Sequence, residues 1–179
     1  IKGKQESDWL AIAMEAKKVC DKYSANLIVN DNVKIAHAVG AYGVHLGKTD
    51  MACDEARKIL GVYKIIGGTA NTFEDVKHLI DCGADYIGLG PYKYTMTKEI
   101  LSPILGVNGI KKIVQEFNNI PIIAIGGIGL DDLENLNQVG VFGVAVSSAI
   151  NNSENLKSTA ESFNNKMKGL FLNSEIQFA

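Results

Sequence analysis

Apolar residues along this chain gather in short runs, and the stretches between the runs repeat them at helical spacing. The runs are residues 25–29 (ANLIV), 43–46 (GVHL), 64–67 (KIIG), 85–89 (DYIGL), 120–125 (IPIIAI) and 141–146 (VFGVAV). They are nearly continuous rather than alternating, which predicts parallel strands buried on both faces. Helices are predicted over 8–23, 31–39, 53–60, 72–82, 106–117, 130–139 and 153–168. Ser7 is placed to cap the first helix, and Glu15 with Lys18 supports its polar face. Trp9, Met14 and Val19 read as its packing positions. Asp54 and Glu55 suit a helix start, and Gly61 follows that helix's end. Thr72 followed by Glu74 and Asp75 marks another start, while Gly83, Gly140 and Gly169 read as helix ends.

Strand–helix alternation predicts a parallel sheet with right-handed crossovers. An open doubly wound sheet and a closed (β/α)8 barrel both satisfy that rule. The barrel is favoured because the glycine-rich segments 88–91 (GLGP), 125–129 (IGGIG) and 143–148 (GVAVSS) follow strands, where barrel loops build ligand sites. No G-x-G-x-x-G unit for a dinucleotide is present. Six strands fall short of eight, and compact barrels run to about 200 residues. The expected fold is therefore an α/β (β/α)8 TIM barrel as one domain over residues 1–179. On that expectation the first strand, first helix and most of the second strand would be missing from this sequence, and Ile1 would be the tail of the second strand. An open six-stranded sheet is the alternative.

At 179 residues, 46% hydrophobic and 21% charged, the chain has the composition of a folded globular domain. Its apolar runs are too short to cross a bilayer, and no signal peptide opens it. Eighteen basic against twenty acidic residues give a net charge of −2, which argues against nucleic-acid and anionic-membrane partners. Cys20, Cys53 and Cys82 are odd in number and widely spaced, so neither a disulfide framework nor a zinc site is expected. The expected compartment is the cytoplasm.

Asn30 and Asp31 directly follow one strand, and Asp50 follows the next by a few residues. Two hard carboxylates at one rim suit Mg2+, which leaves positions for substrate oxygens. Each aspartate could instead cap the helix after it. Gly126 and Gly127 follow one late strand, and Ser147 and Ser148 follow the last. Those loops suit phosphate, because glycine lets backbone N–H groups approach an anion, or could be tightly packed turns. Thr95, Thr97 and Lys98 form a T-x-T-K loop that could bind phosphate or pyrophosphate, or could be a solvated polar loop. Lys2, on the opening loop, is unremarkable alone. His37, His45 and His78 are scattered, and His45 within a strand reads as a packed residue rather than a ligand or base. No G-x-S-x-G elbow or catalytic cysteine context is present.

In order, LIVND (27–31), GVHLGKTD (43–50), IIGGTANT (65–72), GADYIGLGP (83–91), TMTK (95–98), PIIAIGGI (121–128) and GVAVSSAI (143–150) resemble the thiamine phosphate synthase family. The resemblance covers nearly the whole chain and implies a (β/α)8 barrel and an Mg2+-assisted transferase. The family moves an aminopyrimidine methyl group from its diphosphate to the nitrogen of thiazole phosphate, releasing pyrophosphate. By resemblance, Asp31 and Asp50 hold Mg2+, while Lys2, Asn30, Thr69 and Lys98 contact the aminopyrimidine diphosphate. Lys98 is the implied catalytic residue. Thr95, Thr97, Gly127, Ser147 and Ser148 are implied to hold the thiazole phosphate. The sequence departs from the family pattern at Lys48 (usually Gln), Thr69 (Ser), Asn71 (commonly His) and Tyr94 (often Pro). A thiazole tautomerase-type relative and a non-catalytic phosphate-binding barrel, acting as sensor or scaffold, are the alternatives.

Overall fold

Every apolar run forms a strand in the computed structural model, which describes residues 6–94 and 103–171. In chain order the elements begin with α1 (Glu6–Lys22), β1 (Ile28–Asn30), α2 (Val33–Ala38), β2 (Gly43–Leu46), α3 (Cys53–Leu60), β3 (Ile65–Ala70) and α4 (Phe73–Asp81). They continue with β4 (Tyr86–Leu89), α5 (Gly106–Glu116), β5 (Ile122–Ile125), a 3-10 turn (Leu130–Asp132), α6 (Leu133–Gln138), β6 (Gly143–Ala145), α7 (Ser148–Asn151) and α8 (Leu156–Phe171). Ile1, expected as a strand tail, lies outside the described residues. No helix of the described residues is long and apolar enough to cross a membrane.

Two compact units are present, one within Ile1–Thr69 and Lys77–Tyr86, the other within Ala70–Val76 and Ile87–Ala179. In the first, β1, β2 and β3 pair in parallel, with Asn30 opposite His45 and His45 opposite Gly67. Its core gathers Val33, Ala36, Val44, Cys53, Ala56 and Ile66. The second unit pairs β4, β5 and β6 in parallel, with Ile87 opposite Ile122 and Ile125 opposite Ala145. Ile110, Ile113, Leu133 and Leu136 are buried there. Parallel strands covered on both faces require the continuous apolar runs seen in the sequence.

Local signals explain most of the boundaries. Thr72 Oγ1 accepts the Asp75 N–H at 3.1 Å, and the Asp75 carboxylate accepts the N–H groups of Asn71 and Thr72, so α4 starts where its cap requires. Gly61 closes α3 at φ 80, a left-handed conformation that glycine adopts without penalty. Lys18 pairs with Glu15 at 2.7 Å, as their spacing predicts. Four readings need correction. Ser7 lies inside the first turn of α1 rather than before it, and Gly169 stays within α8, which runs on to Phe171. Met14 and Val19 are exposed, because α1 packs against α2 along a single stripe. The four-residue α7 follows Ser147 where only a loop was expected.

Candidate active site

The register of β1, β2 and β3 delivers Asn30–Asp31, Gly47–Asp50 and Thr69 to the carboxyl ends of three neighbouring parallel strands. Asp31 sits at φ 66, and its N–H donates to the His45 carbonyl at 2.8 Å. A left-handed residue immediately after a strand turns the chain out of the sheet at that point. Helix α2 is capped by Asn32, whose Oδ1 accepts the Ile35 N–H at 3.0 Å, so Asp31 is not the cap. Neither is Asp50, since α3 begins after Ala52 with no side-chain cap. Asp50 Oδ2 instead accepts the Gly47 N–H at 2.6 Å and closes the loop after β2. Both carboxylates line one cleft of ≈ 530 Å³, with Trp9, Asn32, Lys34, Thr49 and Met51 among its other walls.

This donor set fits a magnesium ion that also takes substrate oxygens. Among the described residues no group of three or more His, Cys, Asp or Glu gathers to hold a metal. A pair of hard carboxylates beside an open cleft is the usual protein contribution to an Mg2+–phosphate site. Cys53 is not poised as a nucleophile: it is buried in the core, and burial, then its neighbour Cys82, push its thiol up to about 11.

Thr69, at the end of β3, is half-buried and joined to His45: Oγ1 and Nε2 are 3.0 Å apart. The other ring nitrogen of His45 lies 3.0 Å from the Tyr86 hydroxyl. Tyr86 packs its ring on Gly67, where a Cβ would fall 2.1 Å from the ring, so only glycine leaves room for it. His45 thus differs from a simple packed residue, being held at both nitrogens.

In the second unit, Ile125 lies opposite Ala145, so Gly126–Gly127 and Val146–Ser148 leave adjacent strand ends. Gly127 has φ 67, and a Cβ there would fall 2.7 Å from the Tyr94 carbonyl oxygen. Glycine is required on both counts. The segment after β4 runs beside this loop, with the Tyr92 and Lys93 N–H groups donating to the Ile125 and Gly126 carbonyls at 2.9 Å each. Asp132 secures both sides. One carboxylate oxygen accepts the Gly129 N–H at 2.9 Å, and the other accepts Lys93 Nζ at 2.5 Å and the Tyr92 hydroxyl at 3.4 Å.

Burial pushes the Asp132 carboxyl up, but the Lys93 ammonium, the Gly129 N–H and the Tyr92 hydroxyl outweigh it and hold the group below its ordinary value. The same hydrogen bond raises the Lys93 ammonium. A depressed carboxylate contributes stability above its unfolded pKa of about 3.9 that is lost as pH falls through the folded value. A raised ammonium contributes below about 10.4 and loses its contribution as pH rises through its own folded value. Urea midpoints measured across pH should therefore fall steeply below about pH 4 in the wild type. Asp132→Asn should be less stable at neutral pH and show a shallower acid limb.

Of the residues singled out from the sequence, Asn30, Asp31, Asp50 and Thr69 gather on the first unit, and Gly127, Ser147 and Ser148 on the second. Ser147 and Ser148 are exposed at the start of α7. Lys2, Thr95, Thr97 and Lys98 lie outside the described residues. Sequence reasoning missed the His45–Tyr86 contact and the Lys93–Asp132 pair, whose partners are 41 and 39 residues apart.

A family model described as thiamine monophosphate synthase matches residues 1–150. The thiamine-phosphate synthase of Flavobacterium johnsoniae is 48% identical over 170 residues, covering 93% of this chain and 80% of the relative. That of Flavobacterium psychrophilum is 50% identical over 148 residues, covering 80% of this chain and 72% of the relative. Among solved structures, thiamine phosphate pyrophosphorylase from Pyrococcus furiosus superposes with a TM-score of 0.85 at 31% identity, covering 95% of this chain and 81% of that one.

Proposed function

The chain belongs to the thiamine monophosphate synthase family and is a transferase, and from that premise we propose how its residues divide the reaction. An aminopyrimidine diphosphate and thiazole phosphate are joined to thiamine phosphate, with release of pyrophosphate. The observation that carries the division is the pair Asp31 and Asp50, which line one cleft while neither caps a helix. Six β/α repeats support the (β/α)8 barrel as the architecture, and three free cysteines agree with a cytoplasmic setting.

Asp31 and Asp50 would hold Mg2+, which supplies charge neutralisation for a diphosphate. Asn30 and Thr69, on the same rim, orient the aminopyrimidine, and Lys2 and Lys98 neutralise the diphosphate oxygens. Lys98 acts most strongly as the methylene–oxygen bond ionises, because negative charge then builds on the departing pyrophosphate. The electron-rich aminopyrimidine carries the positive charge left on the methylene carbon. Gly127 offers backbone N–H to the thiazole phosphate beside Ser147 and Ser148, and Thr95 and Thr97 complete its hold. With the thiazole nitrogen placed against the methylene carbon, capture is a matter of position, and no protein nucleophile is needed.

The protein supplied with both substrates and Mg2+ should form thiamine phosphate and pyrophosphate in equal amounts. Omitting either substrate should abolish thiamine phosphate. Absence of product from the complete mixture, with both substrates bound, would overturn the proposal.

A further inference from the structure

The Tyr86–His45–Thr69 chain has a direction that its chemistry fixes. A neutral imidazole donates at one nitrogen and accepts at the other, whereas each hydroxyl can do either. Two arrangements are therefore open. In one, Tyr86 donates to Nδ1 and His45 Nε2–H donates to Thr69; in the other, both bonds reverse. A phenol is the more acidic hydroxyl and the poorer acceptor, while an alkyl hydroxyl such as that of threonine is the better acceptor. Among the described residues the Tyr86 hydroxyl has no hydrogen-bond partner other than His45 Nδ1. In the reversed arrangement its proton would have no protein acceptor. Burial also raises the Tyr86 phenol to about 12, so it keeps its proton. The missing acceptor for a reversed phenol proton selects the first arrangement, and the imidazole proton then sits on Nε2.

The consequence falls on Thr69. Its Oγ1 accepts from His45, and among the described residues it makes no other side-chain hydrogen bond. The remaining hydrogen of that hydroxyl is available to a ligand, so Thr69 presents a donor. We infer that His45 is a positioning residue: Tyr86 fixes its tautomer, and the tautomer makes Thr69 donate to an acceptor atom of the pyrimidine diphosphate, a ring nitrogen or a diphosphate oxygen. An amino group at that point would meet a second donor and be rejected. The main chain of the same residue serves the cleft, since the His45 carbonyl accepts the Asp31 N–H. One strand position thereby orients a hydroxyl through its side chain and a carboxylate-bearing turn through its backbone. The inference rests on the pyrimidine diphosphate reading for its ligand, but the direction of the chain does not.

Nitrogen-15 NMR of the labelled protein reads the tautomer without any turnover. Three histidines are present, and His45→Gln identifies the His45 signals by their loss. The expected spectrum has a protonated Nε2 and a bare Nδ1 in the wild type, shifting toward Nδ1–H in Tyr86→Phe. Calorimetric affinity for the aminopyrimidine diphosphate should fall about fivefold to tenfold in Tyr86→Phe, the scale of one misdirected hydrogen bond. Thr69→Val should lose at least as much, and Thr69→Ser should recover most of it. Affinity for thiazole phosphate, and kcat at saturating pyrimidine diphosphate, should stay within about twofold in Tyr86→Phe. A wild-type His45 protonated at Nδ1 overturns the inference, as does unchanged pyrimidine diphosphate affinity in Thr69→Val. A protein that gives the expected spectrum and affinities but forms no thiamine phosphate would refute the synthase reading alone.

Discussion

Asp50→Asn is expected to lower kcat/KM for the aminopyrimidine diphosphate about 10²–10³-fold, the scale of losing one electrostatic stabiliser of a developing anion. The asparagine oxygen can still accept the Gly47 N–H that Asp50 Oδ2 receives at 2.6 Å, so the loop after β2 keeps its closure. What is lost is one of two negative charges facing the cleft shared with Asp31. Thermal stability should stay within about 4 °C of wild type, matching a change below about 1 kcal/mol. Calorimetry separates the metal from the substrate. Two carboxylates alone make a modest Mg2+ site, and substrate oxygens complete it. Wild-type Mg2+ affinity should rise when pyrophosphate is present, and Asp50→Asn should lose most of that rise. Equal Mg2+ affinity with and without pyrophosphate would remove Asp31 and Asp50 from the metal assignment.

Arg57→Ala is the substitution expected to cost most in folding. Arg57 is the only arginine of the chain, and its guanidinium joins segments distant in sequence. It bonds the Gly61 carbonyl at 3.2 Å, the Lys64 carbonyl, and the Asp85 carboxylate at 2.6 Å. Asp85 Oδ2 also accepts the Ile66 N–H at 2.6 Å, so the pair ties α3, the entry to β3 and the segment before β4 to one another. Both side chains are about a quarter to a third exposed, which screens the ion pair and assigns most of the effect to the carbonyl bonds. The loss should be about 2–3 kcal/mol. Urea unfolding should show a lower midpoint at unchanged slope. Arg57→Lys should restore less than half, because a single ammonium does not reproduce the planar fork. A midpoint unchanged in Arg57→Ala would show that this network contributes nothing measurable.

The strands were legible because burial on both faces leaves an unbroken apolar run, and the start of α4 because Thr72 and Asp75 advertise their cap. Met14 and Val19 were read as packing positions from their apolar side chains alone, but a spacing of five sets them about 140° apart on α1, and both are exposed. Asp31 and Asp50 were ambiguous because a carboxylate after a strand serves equally as cap or ligand. The cap reading is ruled out by Asn32, which caps α2, and by the turn that Asp50 closes. His45 and Tyr86 could not be joined from the sequence, since no local rule relates positions 41 residues apart. The Lys93–Asp132 clamp was hidden for the same reason, although it holds the loop that contains Gly127. Pairings of this kind depend on strand register, which is set by the whole fold rather than by neighbours in the chain.

The assignment of the two substrates to two sets of residues is tested most directly by saturation kinetics of thiamine phosphate formation in wild type, Asp50→Asn and Gly127→Ala, each substrate varied at saturating partner. Gly127→Ala forces a Cβ to within 2.7 Å of the Tyr94 carbonyl at φ 67, so the loop must shift. The predicted result is a KM for thiazole phosphate raised about tenfold or more in Gly127→Ala, the scale of about 1.4 kcal/mol of lost binding, with the pyrimidine diphosphate KM unchanged. Asp50→Asn should show the opposite, with the pyrimidine diphosphate KM raised and the thiazole phosphate KM unchanged, alongside its fall in kcat. Parallel rises of both KM values in each variant would contradict the division.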